Sequence, residues 1–230
     1  MSKKASTPDT AERITPAYRP RQVEKAAPCQ GGCANCGDIR GWIGAVAQRE
    51  KIGLGREEAY EQAWRIITDV NPFPATLGRI CPHPCEDKCR RGIEDEAVSI
   101  NQLKRFVADY EMNSGRRFPI ACAPDTGKRV AIVGGGPAGV SCAYFLRRLG
   151  HQPTIYEAMS KLGGITRYGI PEYRLPDEVL DWEIEGILNL GIDVHYNTCL
   201  GRDFTIQSLH DEGYDAIFMG IGAWKDYKLG

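Results

Sequence analysis

Between Val130 and Glu157 the chain runs Val130-Ala-Ile-Val133, then Gly134-Gly-Gly136-Pro-Ala-Gly139, an apolar stretch to about Leu149, and Gln152 to Glu157. Few folds accommodate that order. The first apolar run predicts a short buried strand, the stretch after the glycines a helix, and the last run a second strand ending in an acid. Strand, GxGxxG, helix, strand and carboxylate within about 30 residues describe a βαβ unit that binds a dinucleotide. Gly134 permits the tight turn, Gly136 lets backbone approach a pyrophosphate, and Gly139 allows close helix–strand packing. The free N–H groups and positive dipole end of the helix suit phosphates. Glu157 lies 18 residues beyond Gly139, where a carboxylate accepts the hydroxyls of an adenosine ribose.

The motif alone does not separate FAD from NAD. The following stretch, Lys161-Leu-Gly-Gly164-Ile-Thr-Arg-Tyr-Gly-Ile-Pro-Glu-Tyr-Arg-Leu-Pro176, adds a second glycine pair and a proline-punctuated loop carrying Arg174. A nicotinamide unit would pass straight into its next helix. A long loop suits a larger cofactor lying extended across the domain, which favours FAD. For Arg174 a surface salt bridge is the plainer alternative. Tyr214-Asp-Ala-Ile-Phe-Met-Gly-Ile-Gly-Ala223 reads as another buried strand running into small residues, where backbone again meets the cofactor.

Six of the nine cysteines form two tight groups, Cys29-x3-Cys33-x2-Cys36 and Cys81-x3-Cys85-x3-Cys89. The start, MSKKASTPDT, has no apolar core of a secretory signal, so the expected location is cytoplasmic. There thiols stay reduced, and a chain of 230 residues needs no disulfide staples. Zinc is an alternative, since Cys33-Ala-Asn-Cys36 has zinc-ribbon spacing, but the partner group has x3 gaps throughout. An iron–sulfur core tolerates wider spacing and prefers soft thiolates. Pro82 and Pro84 are expected to hold the residues before them extended and to forbid a helix there. Lys88, Arg90 and Arg91 would offset the charge of several thiolates. Cys122, Cys142 and Cys199 read as core or linker thiols.

Apolar spacing predicts helices over Asp38–Glu50 with Asp38 as N-cap, over Glu57–Val70, and over Ser99–Met112. Asn71-Pro-Phe-Pro ends the second. The chain divides into a loose arm over 1–25, a helical domain over 26–113 with a cysteine group at each end of its helical hairpin, a linker over 114–128 and a dinucleotide domain over 129–230. No apolar run approaches the roughly 18 to 20 residues of a membrane span. A net charge of -1 offers no field for nucleic acid or an anionic membrane.

The segments NPFPATLGRICPHPCEDKCRRG, VAIVGGGPAG, GGITRYGIPEYRLP and YDAIFMGIGA together resemble the N-terminal part of the glutamate synthase small-subunit family. That family includes the N-terminal region of dihydropyrimidine dehydrogenase, transhydrogenase subunits and the flavoprotein accompanying dissimilatory sulfite reductase. The resemblance covers about residues 25 to 230. It implies a two-domain α+β/α/β chain, a helical [4Fe-4S] domain followed by the first segment of a Rossmann-like FAD-binding domain. It also implies hydride transfer from NAD(P)H to flavin, single electrons passing through cubane clusters, and a redox partner protein or large subunit. Carried over by motif, FAD contacts fall on Gly134, Gly136, Pro137, Ala138, Gly139, Val140, Glu157, Leu162, Gly163, Gly164, Ile165 and Arg174, with Leu200 and Ile80 beside them. No residue of this stretch is assigned a catalytic role. The metal ligands fall on Cys29, Cys33, Cys36, Cys81, Cys85 and Cys89.

Two departures stand out. The family's first group is C-x2-C-x4-C-x3-C-P, of which only Cys29 and Cys33 match the last pair; Ala34 replaces the proline and Cys36 is extra. Where the family places a glutamine or glutamate ligand, this chain has Lys104, and a protonated lysine has no lone pair to give. Six thiolates do not complete two four-ligand cubanes. One cluster forms, or two form with ligands borrowed from groups such as His83 and Gln102. The second departure is length: the family's FAD domain is interrupted by an NAD(P)H domain and then resumes, so NAD(P)H is expected to bind beyond this chain, which reads as the N-terminal portion of a longer polypeptide or as one completed by another chain.

The leading reading is an electron-transfer module of an NAD(P)H-dependent oxidoreductase, in which the flavin converts two-electron to one-electron transfer. The alternatives are a non-catalytic assembly subunit with a vestigial flavin site and a zinc-stabilised NAD dehydrogenase. A homo- or hetero-oligomer fits each.

Overall fold

The computed structural model describes residues 26–115, 117 and 119–223. The arm expected over 1–25 and the end of the stretch expected over 129–230 lie outside the described residues.

The helical half comprises α1 (Pro28–Gly32), α2 (Ile39–Ala47), α3 (Arg56–Thr68), α4 (Pro74–Ile80), α5 (Pro84–Asp87), a 3-10 turn at Arg90–Ile93 and α6 (Ile100–Asn113). Asp38 caps α2 by accepting the Gly41 N–H at 2.9 Å. The α2–α3 hairpin closes on Ile39, Trp42, Ala63, Trp64 and Ile67, and the same core takes in Cys85, Ile100 and Val107. Each large side chain buried there stabilises the half by about 1.5–3 kcal/mol.

The expectation that Pro82 and Pro84 forbid a helix is corrected. Pro84 opens α5 at its first position, where a missing N–H costs nothing. Cys81, before Pro82, is extended as expected (φ -65°, ψ 132°). His83, before Pro84, is left-handed at φ 45°, ψ 51°. Pro74 likewise opens α4 within the Asn71-Pro-Phe-Pro stretch.

The second half comprises β1 (Arg129–Val133), α7 (Pro137–Arg148), β2 (Gln152–Tyr156), α8 (Ile165–Tyr168), α9 (Asp177–Leu188), β3 (Asp193–His195), α10 (Ile206–Asp211) and β4 (Ala216–Met219). Among the described residues the strands form one parallel sheet in the order β3-β2-β1-β4. On one face Val130, Ile132 and Ile155 pack against Val140, Ala143, Tyr144, Leu180 and Ile184 of α7 and α9. On the other, Ala131, Val133 and Tyr156 meet Phe204, Leu209 and Tyr214. β4 is not the buried strand its residues suggest. Among the described residues it lies at the sheet's edge, and Met219 is 46% exposed.

The two halves share one packing unit. Phe73, just before α4, enters the core under the sheet. Tyr144 donates its hydroxyl to the Thr68 carbonyl at 2.8 Å, and Arg148 pairs with Asp69 at 2.7 Å. The described residues of 114–128 contain neither helix nor strand, yet they are docked. The Ala123 N–H reaches the Arg148 carbonyl at 2.8 Å, and the Thr126 N–H reaches that of Gly150 at 2.9 Å.

Candidate functional site

In an open parallel sheet, ligands bind outside the carboxyl ends of the strands where the strand order reverses. Here β2 and β4 flank β1, so that point lies at Val133–Gly134. Gly134 turns at φ +102°, and a Cβ there would stand 2.4 Å from the Gly220 carbonyl oxygen. A Cβ on Gly139 would stand 1.9 Å from the Gly134 oxygen, so α7 can lie against the turn only as glycine. Gly136 differs: the nearest atom to a Cβ there is Gly164 Cα at 3.7 Å. Its front is open space at the N-terminus of α7, which Pro137, Ala138, Gly139 and Val140 begin.

The second glycine pair folds back onto the first. The Gly163 N–H donates to the Gly135 carbonyl at 2.8 Å, and both Gly163 and Gly164 adopt positive φ, at +122° and +49°. Leu162 is buried in the core, whereas Ile165 is 66% exposed beside the turn. Glu157 is buried at the end of β2. Its two oxygens accept the N–H groups of Gly135 and Met159, each at 2.7 Å. Each oxygen keeps a second lone pair for a hydroxyl donor.

Arg174 lies exposed in the turn before α9 and forms no ion pair among the described residues. Ile80, at the end of α4, packs on the cluster of Ala75, Ala108, Leu175 and Val179, which places it against the Arg174 loop. Leu200 bridges to Phe204 on the opposite face of the sheet, against Ala131 and Tyr156.

The thiols are gathered by a close approach of two short helices. A Cβ on Gly32 would lie 2.9 Å from Lys88 Cγ, 3.1 Å from the Pro84 oxygen and 3.2 Å from Cys85 Cα. Glycine at the end of α1 therefore lets Cys33 come up to Cys85, and Cys29 lies one helical turn earlier on the same core. Cys81 closes α4, and its sulfur accepts the His83 N–H at 3.3 Å. Burial pushes the Cys85 thiol up, helped by Cys33, Glu86 and Cys81, with Lys104 pulling the other way. Cys33, Cys81 and Cys85 thus share one electrostatic neighbourhood. Cys89 has a different one: the N–H groups of Val98, Arg91 and Gly92 hold its thiol below the ordinary range. Cys36 is exposed, in a left-handed conformation at φ 50°.

Among the described residues no three of His, Cys, Asp or Glu stand close enough to hold a single metal ion. His83 faces Glu86 at 3.3 Å rather than the thiols, and Gln102 is exposed.

Two residues of this region escape sequence reasoning. Arg167, with a side chain 5% exposed, donates to the Leu162 carbonyl at 2.6 Å and pairs with Asp177 at 3.2 Å and with Asp181, pinning the glycine loop to α9. Glu183, 4% exposed, reaches out of α9 to the first turn of α4 and accepts the N–H groups of Ala75 at 2.5 Å and Thr76 at 2.8 Å. Its signal is an acid on the inward stripe of Val179, Leu180, Ile184 and Ile187. For Arg167 no sequence signal exists.

A family model described as dihydropyrimidine dehydrogenase domain II, 4Fe-4S cluster, matches residues 2–116, half of the chain. The chain belongs to that family. Residues 132–192 of this domain II family member match a second model, the NAD(P)-binding Rossmann-like domain. The chain is 39% identical over 225 residues to the NADP(+)-dependent formate dehydrogenase subunit beta of Moorella thermoacetica. It is 38% identical over 218 residues to the NADPH-Fe(3+) oxidoreductase subunit beta of Geobacter sulfurreducens. It is 34% identical over 219 residues to the glutamate synthase [NADPH] small chain of Bacillus subtilis. These matches take in 89%, 94% and 90% of this chain but 30%, 31% and 44% of the relatives, so the chain spans less than half of each. Among the described residues no helix is long and apolar enough to cross a membrane.

Proposed function

We propose that the chain is the iron–sulfur and flavin-binding part of an NAD(P)H-dependent oxidoreductase that hands electrons to a partner redox protein. The observation that carries this reading is the single packing unit of α4 and α9. Helix α4 runs directly into Cys81, α9 follows the loop that folds over the dinucleotide turn, and Glu183 joins the two. Two redox sites held by one pair of helices suit electron transfer between them.

In this reading the adenosine half of FAD lies over Gly134–Gly139, with pyrophosphate in the open space before Gly136 and at the N–H groups of Ala138 and Gly139. Glu157 orients the ribose, Gly164 lets its turn lie directly against Gly136 at the edge of that space, and Ile165 and Arg174 line its further end. Cys33, Cys81 and Cys85 hold a [4Fe-4S] cluster, with Cys29 as the fourth thiolate. The bound cofactors supply two-electron acceptance and one-electron release. The residues bind, orient and shield them. NAD(P)H as donor, a partner subunit as acceptor and a cytoplasmic setting follow from the same reading.

A second reading, NAD(P) rather than FAD at the same turn, is favoured by the description of the Rossmann-like model over residues 132–192. Iron, acid-labile sulfide and released nucleotide per chain, measured on protein purified without oxygen, separate the two. Four irons with FAD are expected. Released NAD(P) without flavin would establish the second reading. Loss of iron from Cys29→Ser with retention in Cys89→Ser would support Cys29 as the fourth ligand, and the reverse would reassign it.

A further inference from the structure

Helix α6 turns Ile100, Asn101, Val107 and Ala108 inward, at 4%, 5%, 2% and 0% exposure. Lys104 follows Ile100 by four residues and Asn101 by three, and precedes Val107 by three and Ala108 by four. Helical spacing therefore sets it on the line of that buried stripe. Lys104 itself is half-buried, and a lysine drawn that far into a core usually has its charge met. Its neighbours show how that is ordinarily done: Arg105 and Arg79 both pair with Asp109, at 3.3 Å and 2.8 Å. Lys104 makes no ion pair or hydrogen bond among the described residues.

The stripe is firmly placed. The Asn101 N–H donates to Glu86 of α5 at 2.7 Å, and its side-chain amide donates to the Gly78 carbonyl of α4 at 3.1 Å. A Cβ on Gly78 would lie 2.8 Å from Arg105 Cβ, so α4 and α6 touch with no layer between them. These contacts bring the middle of α6 to the place where α4 delivers Cys81 and α5 delivers Cys85. Burial pulls the Lys104 ammonium below its ordinary range, and the charges that act the other way and favour the protonated amine are Cys81, Cys33 and Cys85, and then Glu183 from α9.

We propose that Lys104 is a fixed positive charge beside the iron–sulfur cluster of Cys33, Cys81 and Cys85, and that it raises the reduction potential of that cluster without ligating iron. The inference rests on the cluster assignment proposed above. Reduction adds one electron and no bond, so the reduced cluster carries one more negative charge than the oxidised one. A cation held nearby in a poorly screened interior stabilises the reduced form more. A protonated amine offers three donors and no lone pair, so it can face sulfur but cannot bind iron.

The test is a dithionite titration of the anaerobically purified 230-residue chain, followed by electron paramagnetic resonance, for wild type, Lys104→Met and Lys104→Arg. With iron and sulfide unchanged, the reduced-to-oxidised ratio at a fixed ambient potential should fall about tenfold in Lys104→Met, which is 59 mV for a one-electron couple. It should stay within about twofold in Lys104→Arg, where the charge is kept. Equal ratios in wild type and Lys104→Met would overturn the proposal. So would a strongly coupled nitrogen on the wild-type cluster that vanishes in Lys104→Met, since that would make the lysine a ligand. If Lys104→Met holds no iron, the arginine variant decides: wild-type iron and ratio support a charge requirement, and loss of iron from it as well overturns the proposal. Iron absent from the wild-type chain would instead strike down the cluster assignment itself.

Discussion

Glu183 of α9 accepts the backbone N–H of Thr76, in the first turn of α4, at 2.8 Å, and its other oxygen accepts that of Ala75. A side chain from the dinucleotide half thus does the work of an N-cap for the helix that leads to Cys81. α4 starts with Pro74 after Phe73, which provides no side-chain cap of its own.

The junction should titrate. Burial lifts the Glu183 carboxyl from 4.5 to about 7, against the N–H groups of Thr76 and Ala75 and the charge of Arg79. In the unfolded chain the group ionises near 4.5, whereas folded protein keeps the proton until about 7. Its contribution is therefore fully present below pH 4.5, declines as pH rises to about 7, and is level above, an amplitude of about 3 kcal/mol. Urea denaturation of wild type and Glu183→Gln at pH 5 and pH 8 should show a difference between them that changes in this direction. A difference that does not vary with pH would refute the titration.

Gly136→Val and Gly139→Ala should fail in different ways. At Gly136 the nearest protein atom to a new Cβ is 3.7 Å away, so the variant should fold with near wild-type circular dichroism and lose its nucleotide. At Gly139 the Cβ would collide with the Gly134 oxygen at 1.9 Å, so even alanine should force α7 away from β1 and lower Tm before any ligand is considered. Full nucleotide content in Gly136→Val would remove the pyrophosphate from this turn.

Removing the Glu157 carboxylate should weaken the protein as well as the nucleotide site. Two backbone N–H groups, the buried one of Gly135 and the partly buried one of Met159, would lose their acceptor in Glu157→Ala. Bonds to a charged acceptor contribute about 1.5–3 kcal/mol each. Thermal unfolding without added nucleotide should therefore show a clear drop in Tm. A variant with wild-type Tm and weaker nucleotide binding would mean that the carboxylate serves the ligand alone.

Gly32→Ala should reduce iron content although no ligand is changed. The added methyl would lie 3.2 Å from Cys85 Cα and 3.1 Å from the Pro84 oxygen, both backbone atoms that cannot swing aside. α1 must then move off α5 and carry Cys33 with it. Iron and sulfide per chain at wild-type levels in this variant would show that the approach of the two helices is not needed.

The longer helices were legible because their apolar faces repeat over several turns, and Asp38 even marks the start of α2. The strand, glycine turn, helix and strand of the dinucleotide unit were legible for a different reason, since each glycine answers a steric need that the sequence displays. The helices α1, α4 and α5 were not, because four to seven residues are too few to show a period. They exist through proline at their first turns and through contacts made elsewhere. The edge position of β4 was hidden as well, since Ala-Ile-Phe-Met reads as a buried strand wherever it lies. Lys104 stood out only as the wrong residue for a ligand. That it faces inward follows from the register of α6, and what it faces follows from α4 and α5, which the sequence did not announce.

A helix that belongs to two binding sites makes each site's occupancy the concern of the other. With the sites as proposed, whatever factor a cluster at Cys81 adds to nucleotide affinity through the α4–Glu183–α9 contact, the nucleotide must add to the affinity for the cluster. A chain given one cofactor should therefore change its affinity for the other by the same factor, whichever of the two is loaded first.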